Sequence, residues 1–378
     1  MHPSSLAVAV SLLGSPQTPS LDASRIPAAT WYVAPPPAEA PRVLRGDWEP
    51  PDTILVGFNN AWPSALRVML EEMARTTSIW VMLEDGHSRS DARRFLRRLT
   101  PSSRAAVRLL DMRVDTSWVR DYGPFQTREA DGTLVWIDTG YGSDRPLDDT
   151  VPTRLANVAG VEIEPLETGL DGGAIASNGA GLCVTTLEYM FSEGVAPDDT
   201  ELLTPMLHQL GCKALAFVPA LEKEPTLHVD PFVQFLARDV VAVAKFDRAR
   251  DPGDWRRTEA TAVALRSAAN DIGQRLRIVR VPTWFEDVTY YTYINGLRLA
   301  DVYLVPSFRN VPAAFEQSAH EALATALPDL PLVAVPGDDL VALEGVVHCA
   351  ALGLELGTAR PTGTTAARAA AEGARRPL

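Results

Sequence analysis

Along the chain, short β-rich apolar runs alternate with stretches whose apolar residues recur at helical spacing. Ile54-Leu55-Val56-Gly57-Phe58 reads as a buried strand, and Ser64 is placed to cap a helix whose apolar positions Leu66, Met69, Leu70 and Met73 fall at i, i+3, i+4 and i+7. Ile79-Trp80-Val81-Met82-Leu83 returns as a strand. Further strands are predicted over 105–112, 134–138, 181–186, 212–218, 232–246, 275–281, 299–306 and 332–336, with helices over 201–210, 255–272 and 313–326. This is an α/β pattern with strands in the majority. Back-to-back runs such as 232–237 and 240–246 predict hairpins, so a purely parallel, doubly wound sheet fits poorly.

The two ends break the pattern. Residues 1–45 are rich in Pro, Ala and Ser, with Pro35-Pro36-Pro37 in the middle, and predict a leader without regular structure. Within them Leu6 to Leu13 reads either as the apolar core of a secretory signal or as a flexible N-terminus. That leaves a cytoplasmic and an exported location both open. Residues 357–378 carry Ala, Thr, Arg and Gly without an aromatic residue and predict a disordered tail. The folded part is thus expected over 46–356.

Composition narrows the function more than the fold. The 378 residues are 46% hydrophobic and 22% charged, and no apolar run is long enough to span a membrane as a helix. With 35 Lys and Arg against 48 Asp and Glu, the formal charge of −13 argues against nucleic acid and favours a cationic partner. Four Arg residues from Arg93 to Arg98 are therefore expected to form a solvated helix face. Three cysteines, Cys183, Cys212 and Cys349, exclude a disulfide framework. The apolar, strand-like settings of Cys183 and Cys212 predict buried free thiols rather than a bridge.

Chemistry-bearing residues gather in four loop-like segments: Trp118-Val119-Arg120-Asp121-Tyr122-Gly123-Pro124-Phe125, Leu170-Asp171-Gly172-Gly173, Leu227-His228-Val229-Asp230 and Gly345-Val346-Val347-His348-Cys349. Singly, each has an ordinary structural reading, such as an Asx turn at Asp171 or a satisfied core histidine at His228. Together they combine a cysteine, two histidines able to support its thiolate, and three aspartates, Asp121, Asp171 and Asp230, able to bind a cationic carbon electrophile. Asp121, Asp171, His228, Asn295 and Cys349 follow one another at intervals of about 50 to 67 residues, as expected if repeated supersecondary units each donate one loop to a shared site. No sequence self-similarity accompanies that spacing.

These segments, with Tyr293-Ile294-Asn295 and Trp48-Glu49-Pro50, resemble in order the signature blocks of the bacterial, Porphyromonas-type peptidylarginine deiminase and agmatine deiminase family of the guanidine-modifying superfamily. The resemblance covers about 47 to 354. It implies the pentein fold, an α/β propeller of five ββαβ units around a pseudo-fivefold axis, and hydrolysis of a guanidinium to a ureido group through a cysteine thiouronium, without metal or organic cofactor. It makes Cys349 the nucleophile, His228 the general acid and base, and Asp121 and Asp230 the guanidinium clamp. Asn295, Trp118 and Arg120 fall in the site and Asp171 orients His228, although the family more often carries Glu before the two glycines. Arg145, in Tyr141-Gly142-Ser143-Asp144-Arg145, matches the peptidylarginine branch, where an arginine holds the substrate carboxylate; a surface salt bridge with Asp148 or Asp149 is the alternative. Two departures, Ala176-Ser177-Asn178-Gly179 and Val346-Val347, are expected to reshape the substrate mouth. The expected substrate is peptidyl or C-terminal arginine, with agmatine the alternative. A Cys349, His228 and Asn295 set would also suit a papain-like protease, which needs no ring of aspartates, and a catalytically silent guanidine- or peptide-binding protein is the remaining reading.

Overall fold

The computed structural model describes residues 29–38, 41–142 and 144–357. Its sheets are mixed, and one motif recurs five times. A short strand pairs antiparallel with a longer one, a helix crosses over, and a third strand returns parallel to the second, since a parallel neighbour cannot be reached by a tight turn. The second unit is Phe125–Arg128, Leu134–Asp138, helix Val151–Ala159 and Glu162–Pro165. The third is Ile175–Ser177, Leu182–Thr186, helix Thr200–Leu210 and Ala214–Val218. The fourth is Val233–Ala237, Val240–Lys245, helix Pro252–Asp271 and Arg277–Pro282. The fifth is Leu297–Arg298, Tyr303–Ser307, helix Ala313–Ala326 and Leu332–Pro336.

The first unit takes its short strand from the far end of the chain. Thr53–Phe58, helix Pro63–Met73 and Ser78–Glu84 supply the parallel pair, and Ala351–Leu354 completes the unit antiparallel to Thr53–Phe58. The five-unit arrangement is thus the pentein architecture that the resemblance implies. The parallel strands are apolar on both faces because helices and neighbouring units cover both sides. Every residue of Thr53–Phe58, Leu182–Thr186 and Ala214–Val218 is buried. Side-chain amides tie adjacent units together at the short strands: Gln126 donates to Gly353 O at 2.8 Å and Gln234 to Gly296 O at 2.9 Å.

Several expectations need correction. The leader assigned to 1–45 is ordered in part. Thr30–Val33 adds an antiparallel edge to Ala214–Phe217, and Val43–Leu44 does so to Thr127–Arg128, where a strand can form without its own apolar period because it borrows a partner. The apolar stretch Leu6 to Leu13, and the tail beyond 357, lie outside the described residues. Ser64 does not cap its helix; Pro63 occupies the first turn, where its missing N–H costs nothing, and Trp62 precedes it. Cys183 and Cys212 form a disulfide, with Cα atoms 5.9 Å apart. Their apolar settings are as expected, but the sequence does not show that their strands are parallel neighbours in a register that sets Leu182 beside Ala214. The arginine-rich helix, Arg89–Leu96, does present Arg93 and Arg94 to solvent. No helix among the described residues is long and apolar enough to cross a membrane.

Closure by Ala351–Leu354 makes that strand a sensitive point, since Leu352 packs in one core with Leu55, Trp80 and Tyr122. Leu352→Ala is expected to cost about 2–5 kcal/mol through the cavity it leaves. Denaturant unfolding would register the loss as a lower midpoint with an unchanged slope.

Candidate active site

In four of the five units the segment just before the short strand carries a chemistry-bearing residue: Asp121 ahead of Phe125, Asp171 ahead of Ile175, His228 and Asp230 ahead of Val233, and Asn295 ahead of Leu297. Cys349 does the same ahead of Ala351, in the strand that completes the first unit. This common position brings together residues far apart in sequence. Trp118, Asp121, Asp171, His228, Asp230, Arg145 and Cys349 all line one cavity of about 700 Å³.

Two glycines make the convergence possible. A Cβ at Gly172 would overlap the carbonyl oxygen of Arg120, and one at Gly173 would lie 2.5 Å from His228 Nδ1 and 2.8 Å from Asp121 Oδ1. The backbone then links the segments. Gly172 N donates to Asp121 O, and Val229 N and Asp230 N both donate to Gly173 O. Ahead of His228, Leu227 holds φ at +61°, and the buried Glu224 carboxylate accepts from His228 N at 2.9 Å.

His228 lies between two carboxylates, with Nε2 3.0 Å from Asp171 Oδ2 and Nδ1 3.7 Å from Asp121 Oδ1. Burial works against its imidazolium, but the charge of Asp121 and the hydrogen bond to Asp171 outweigh that and raise its pKa to about 10. Burial raises the Asp121 carboxyl to about 7; His228 opposes the shift, and repulsion from Asp230 and Asp171 adds to it. Asp230 is 3% exposed, and its Oδ2 accepts from His348 Nδ1 at 2.8 Å, from Asn295 Nδ2 at 3.0 Å and from Cys349 Sγ at 3.6 Å. Cys349 Sγ also donates to Asn295 Oδ1 at 3.4 Å. Burial, then the charges of Asp230 and Asp121, push this thiol well above its ordinary pKa. The cavity therefore holds a neutral thiol beside an imidazolium.

Two carboxylate oxygens in this buried space, Asp121 Oδ1 and Asp230 Oδ1, have no hydrogen-bond partner. Buried and unsatisfied acceptors of this kind cost about 1–3 kcal/mol each, more when charged, and mark where a donor-rich ligand would be held.

The other expected residues divide. Arg120 lines no part of the cavity. Its guanidinium is buried behind it, donating to Asp47 Oδ1 at 2.8 Å and to Ala351 O at 3.1 Å, while its backbone N–H reaches Cys349 O at 3.2 Å. It therefore braces the segment carrying Cys349, since the cavity side of that segment is left to carboxylates. Asn295 lies beneath Asp230 and Cys349, 1% exposed. Trp118 packs its ring against Gly345, where a Cβ would come within 2.5 Å. Arg145 forms no ion pair with Asp148 or Asp149. Asp148 caps the backbone of Asp115 and Thr116 and Asp149 accepts from Tyr141 N, whereas Arg145 Nη1 donates to Tyr141 Oη at 2.9 Å on the cavity wall. The two departures expected at the mouth do not line this cavity: Asn178 bonds the backbone of Ala180 and Leu182, and Val346 and Val347 are core residues. Their apolar or turn-forming side chains serve packing at those positions.

Asp47, Glu224, Tyr189 and His348 complete the surroundings. Tyr189 Oη accepts from Asp171 N at 2.8 Å. Asp47 adjoins the Trp48-Glu49-Pro50 block, a usable signal, whereas nothing around Glu224 or Tyr189 announces them. Among the described residues, no group of three or more His, Cys, Asp or Glu side chains is arranged to hold a metal ion.

Comparison with known proteins agrees over nearly the whole fold. A family model for the Porphyromonas-type peptidyl-arginine deiminase matches residues 44–353. The chain is 25% identical over 278 residues to an agmatine deiminase of Stutzerimonas stutzeri, covering 64% of this chain and 75% of that one. Among solved structures, the agmatine deiminase of Enterococcus faecalis superposes with a TM-score of 0.70 at 17% identity, covering 85% of this chain and 100% of that one. The agmatine deiminase of C. jejuni does so with 0.69 at 14% identity, over 85% and 98%.

If Asp171 sustains the His228 imidazolium, Asp171→Asn lowers the His228 pKa from about 10 towards the ordinary value of about 6.5. An NMR titration of the ring Cε1–H reads this directly. An unmoved pKa would leave the raising to Asp121 and Asp230.

Proposed function

Because the chain belongs to the Porphyromonas-type peptidyl-arginine deiminase family, we propose that it hydrolyses the guanidinium of a C-terminal arginine to citrulline, releasing ammonia. Family membership supports the coarser statement, a hydrolytic deiminase acting on guanidino C–N bonds. The observation that carries it to this site is the pair of buried oxygens without a hydrogen-bond donor, Asp121 Oδ1 and Asp230 Oδ1, on residues that line one cavity with the Cys349 thiol and the His228 imidazolium.

A guanidinium is planar, permanently charged and rich in N–H donors, so it suits two carboxylates that each keep one buried oxygen without a hydrogen-bond donor. Burial and the charges of Asp230 and Asp121 hold Cys349 protonated; the arriving cation offsets the carboxylate charge, and the thiol gives its proton to water in the cavity. The sulfur then attacks the guanidinium carbon, forming a C–S bond. His228, already an imidazolium, gives its proton to the departing nitrogen, and the C–N bond breaks with loss of ammonia to leave an S-alkylthiouronium. The imidazole, now neutral, takes a proton from water. Hydroxide adds to the same carbon, its remaining proton passes to the sulfur as the C–S bond breaks, and the ureido product leaves Cys349 as the thiol.

Arg145 supports arginine over agmatine. Among the described residues it has no ion-pair partner, and it stands on the cavity wall, where a substrate carboxylate would find it. The agmatine reading is favoured by the names of the relatives and by Asp144, Glu167, Glu193 and Glu344 around the same cavity, which suit a terminal ammonium.

Steady-state ammonia release separates these readings. With a C-terminal arginine dipeptide, Arg145→Ala is expected to raise KM about tenfold or more with little change in kcat, while agmatine turnover is unaffected. Faster turnover of agmatine, indifferent to Arg145, would overturn the arginine assignment. Cys349→Ser is expected to abolish turnover of both substrates while leaving the unfolding transition in place.

The pH dependence has a definite sign. kcat/KM is expected to rise as pH passes about 7, where Asp121 ionises, and to fall as pH passes about 10, where His228 loses the proton that ammonia departure needs. An activity profile flat across both values would contradict these assignments.

A further inference from the structure

Each of the two cavity carboxylates is backed by an imidazole, and each imidazole by a second carboxylate. On one side the order is Asp121, His228, Asp171. On the other it is Asp230, His348, Asp47, with His348 Nδ1 2.8 Å from Asp230 Oδ2 and Nε2 3.2 Å from Asp47 Oδ2. The two differ in access. His228 lines the cavity, whereas His348 is 2% exposed and stands behind Asp230. The chemistry above uses the first imidazole and leaves the second without a task.

The geometry defines what the second one does. Both of its ring nitrogens meet carboxylate oxygens, which only accept, so both nitrogens donate and the ring is a cation. The hydrogen bonds to Asp230 and Asp47 raise its pKa against burial and against nearby Arg120. Asp47 is in turn held by Arg120 Nη1 at 2.8 Å and keeps its charge despite burial. Asp230 is used unevenly: Oδ2 accepts from His348, Asn295 and Cys349, while Oδ1 accepts from nothing.

We propose that His348 is a positioning residue that acts through Asp230, locking Oδ2 from behind so that Oδ1 alone is presented to the substrate guanidinium, with Asp47 and Arg120 holding the ring. This rests on the reading of the cavity as a guanidinium site. His348 never touches substrate. It holds a buried carboxylate in one rotamer, which lowers the reorganisation cost of binding a cation.

Binding rather than turnover tests this, in the Cys349→Ala enzyme by calorimetry with agmatine and glycyl-arginine as probes. His348→Leu is expected to weaken whichever guanidine binds by on the order of ten- to a hundredfold. His348→Asn, whose amide N–H can reach Asp230 from the same side, should recover most of the loss. In an Asp230→Asn background the same His348 substitutions should add almost nothing, whereas a merely structural histidine would cost the same with or without Asp230. If His348→Leu does not fold, Asp47→Asn carries the test, with a smaller loss that likewise vanishes in Asp230→Asn. Equal losses in both backgrounds, or unaltered affinity in every His348 and Asp47 variant, would overturn the proposal while Asp230→Asn still impaired binding. No guanidine binding before any of these substitutions, or an Asp230→Asn enzyme that binds as well as its parent, would overturn the cavity reading and this inference together.

Discussion

Mutual repulsion among four carboxylates is the constraint around which the rest is arranged. Asp121, Asp171 and Asp230 gather around one cavity and Asp47 stands behind Asp230, where partial burial makes like charges costly. The protein meets this with cations placed between the acids, His228 on one side and His348 with Arg120 on the other. What remains is a residual demand for positive charge, focused on two buried oxygens that accept no hydrogen bond from the protein. That imbalance favours a cationic ligand and adds to the burial that suppresses ionisation of Cys349.

The fold supplies this crowding through repetition. Each short strand begins where the preceding segment turns into the common site, so a residue placed just before it inherits a position relative to its counterparts in the other units. The chain's last strand, Ala351–Leu354, completes the first unit and brings Cys349 to Asp230 and Asn295, more than a hundred residues earlier in one case. Closing the ring therefore also places Cys349 in the site, and Arg120 joins the two by bonding Asp47, Cys349 O and Ala351 O at once.

Much of this is legible residue by residue. Long strands such as Thr53–Phe58 and Val240–Lys245, and the helix Ala313–Ala326, carry enough apolar residues for their pattern to speak. The short strands Phe125–Arg128, Ile175–Ser177, Leu297–Arg298 and Ala351–Leu354 do not, because two to four residues cannot display a period. Yet these are the strands from which the site hangs, and in the sequence only the motifs beside them betray their presence. Asp121, Asp171, His228, Asp230, Asn295 and Cys349 could all be picked out, since Gly-Gly, His-x-Asp and His-Cys are conspicuous in loop settings. Glu224 and Tyr189 could not, since each acts through one hydrogen bond to a backbone N–H brought near by folding.

By itself, the sequence determined the α/β alternation, the surplus of acid over base, the chemical types available to the site and the even spacing that marks five repeated units. The tertiary structure alone decided which partner each of them met. Cys183 and Cys212 became a disulfide because parallel register set their strands side by side, Arg120 turned away from the cavity to brace it, and Arg145 was left free of Asp148 and Asp149. It also decided that His348 backs Asp230 instead of activating the neighbouring Cys349. The physical reason is common to all four. Composition and local pattern set what a side chain can do, but distance and access to water set its charge and its partner, and both arise only when segments far apart in the chain are packed together.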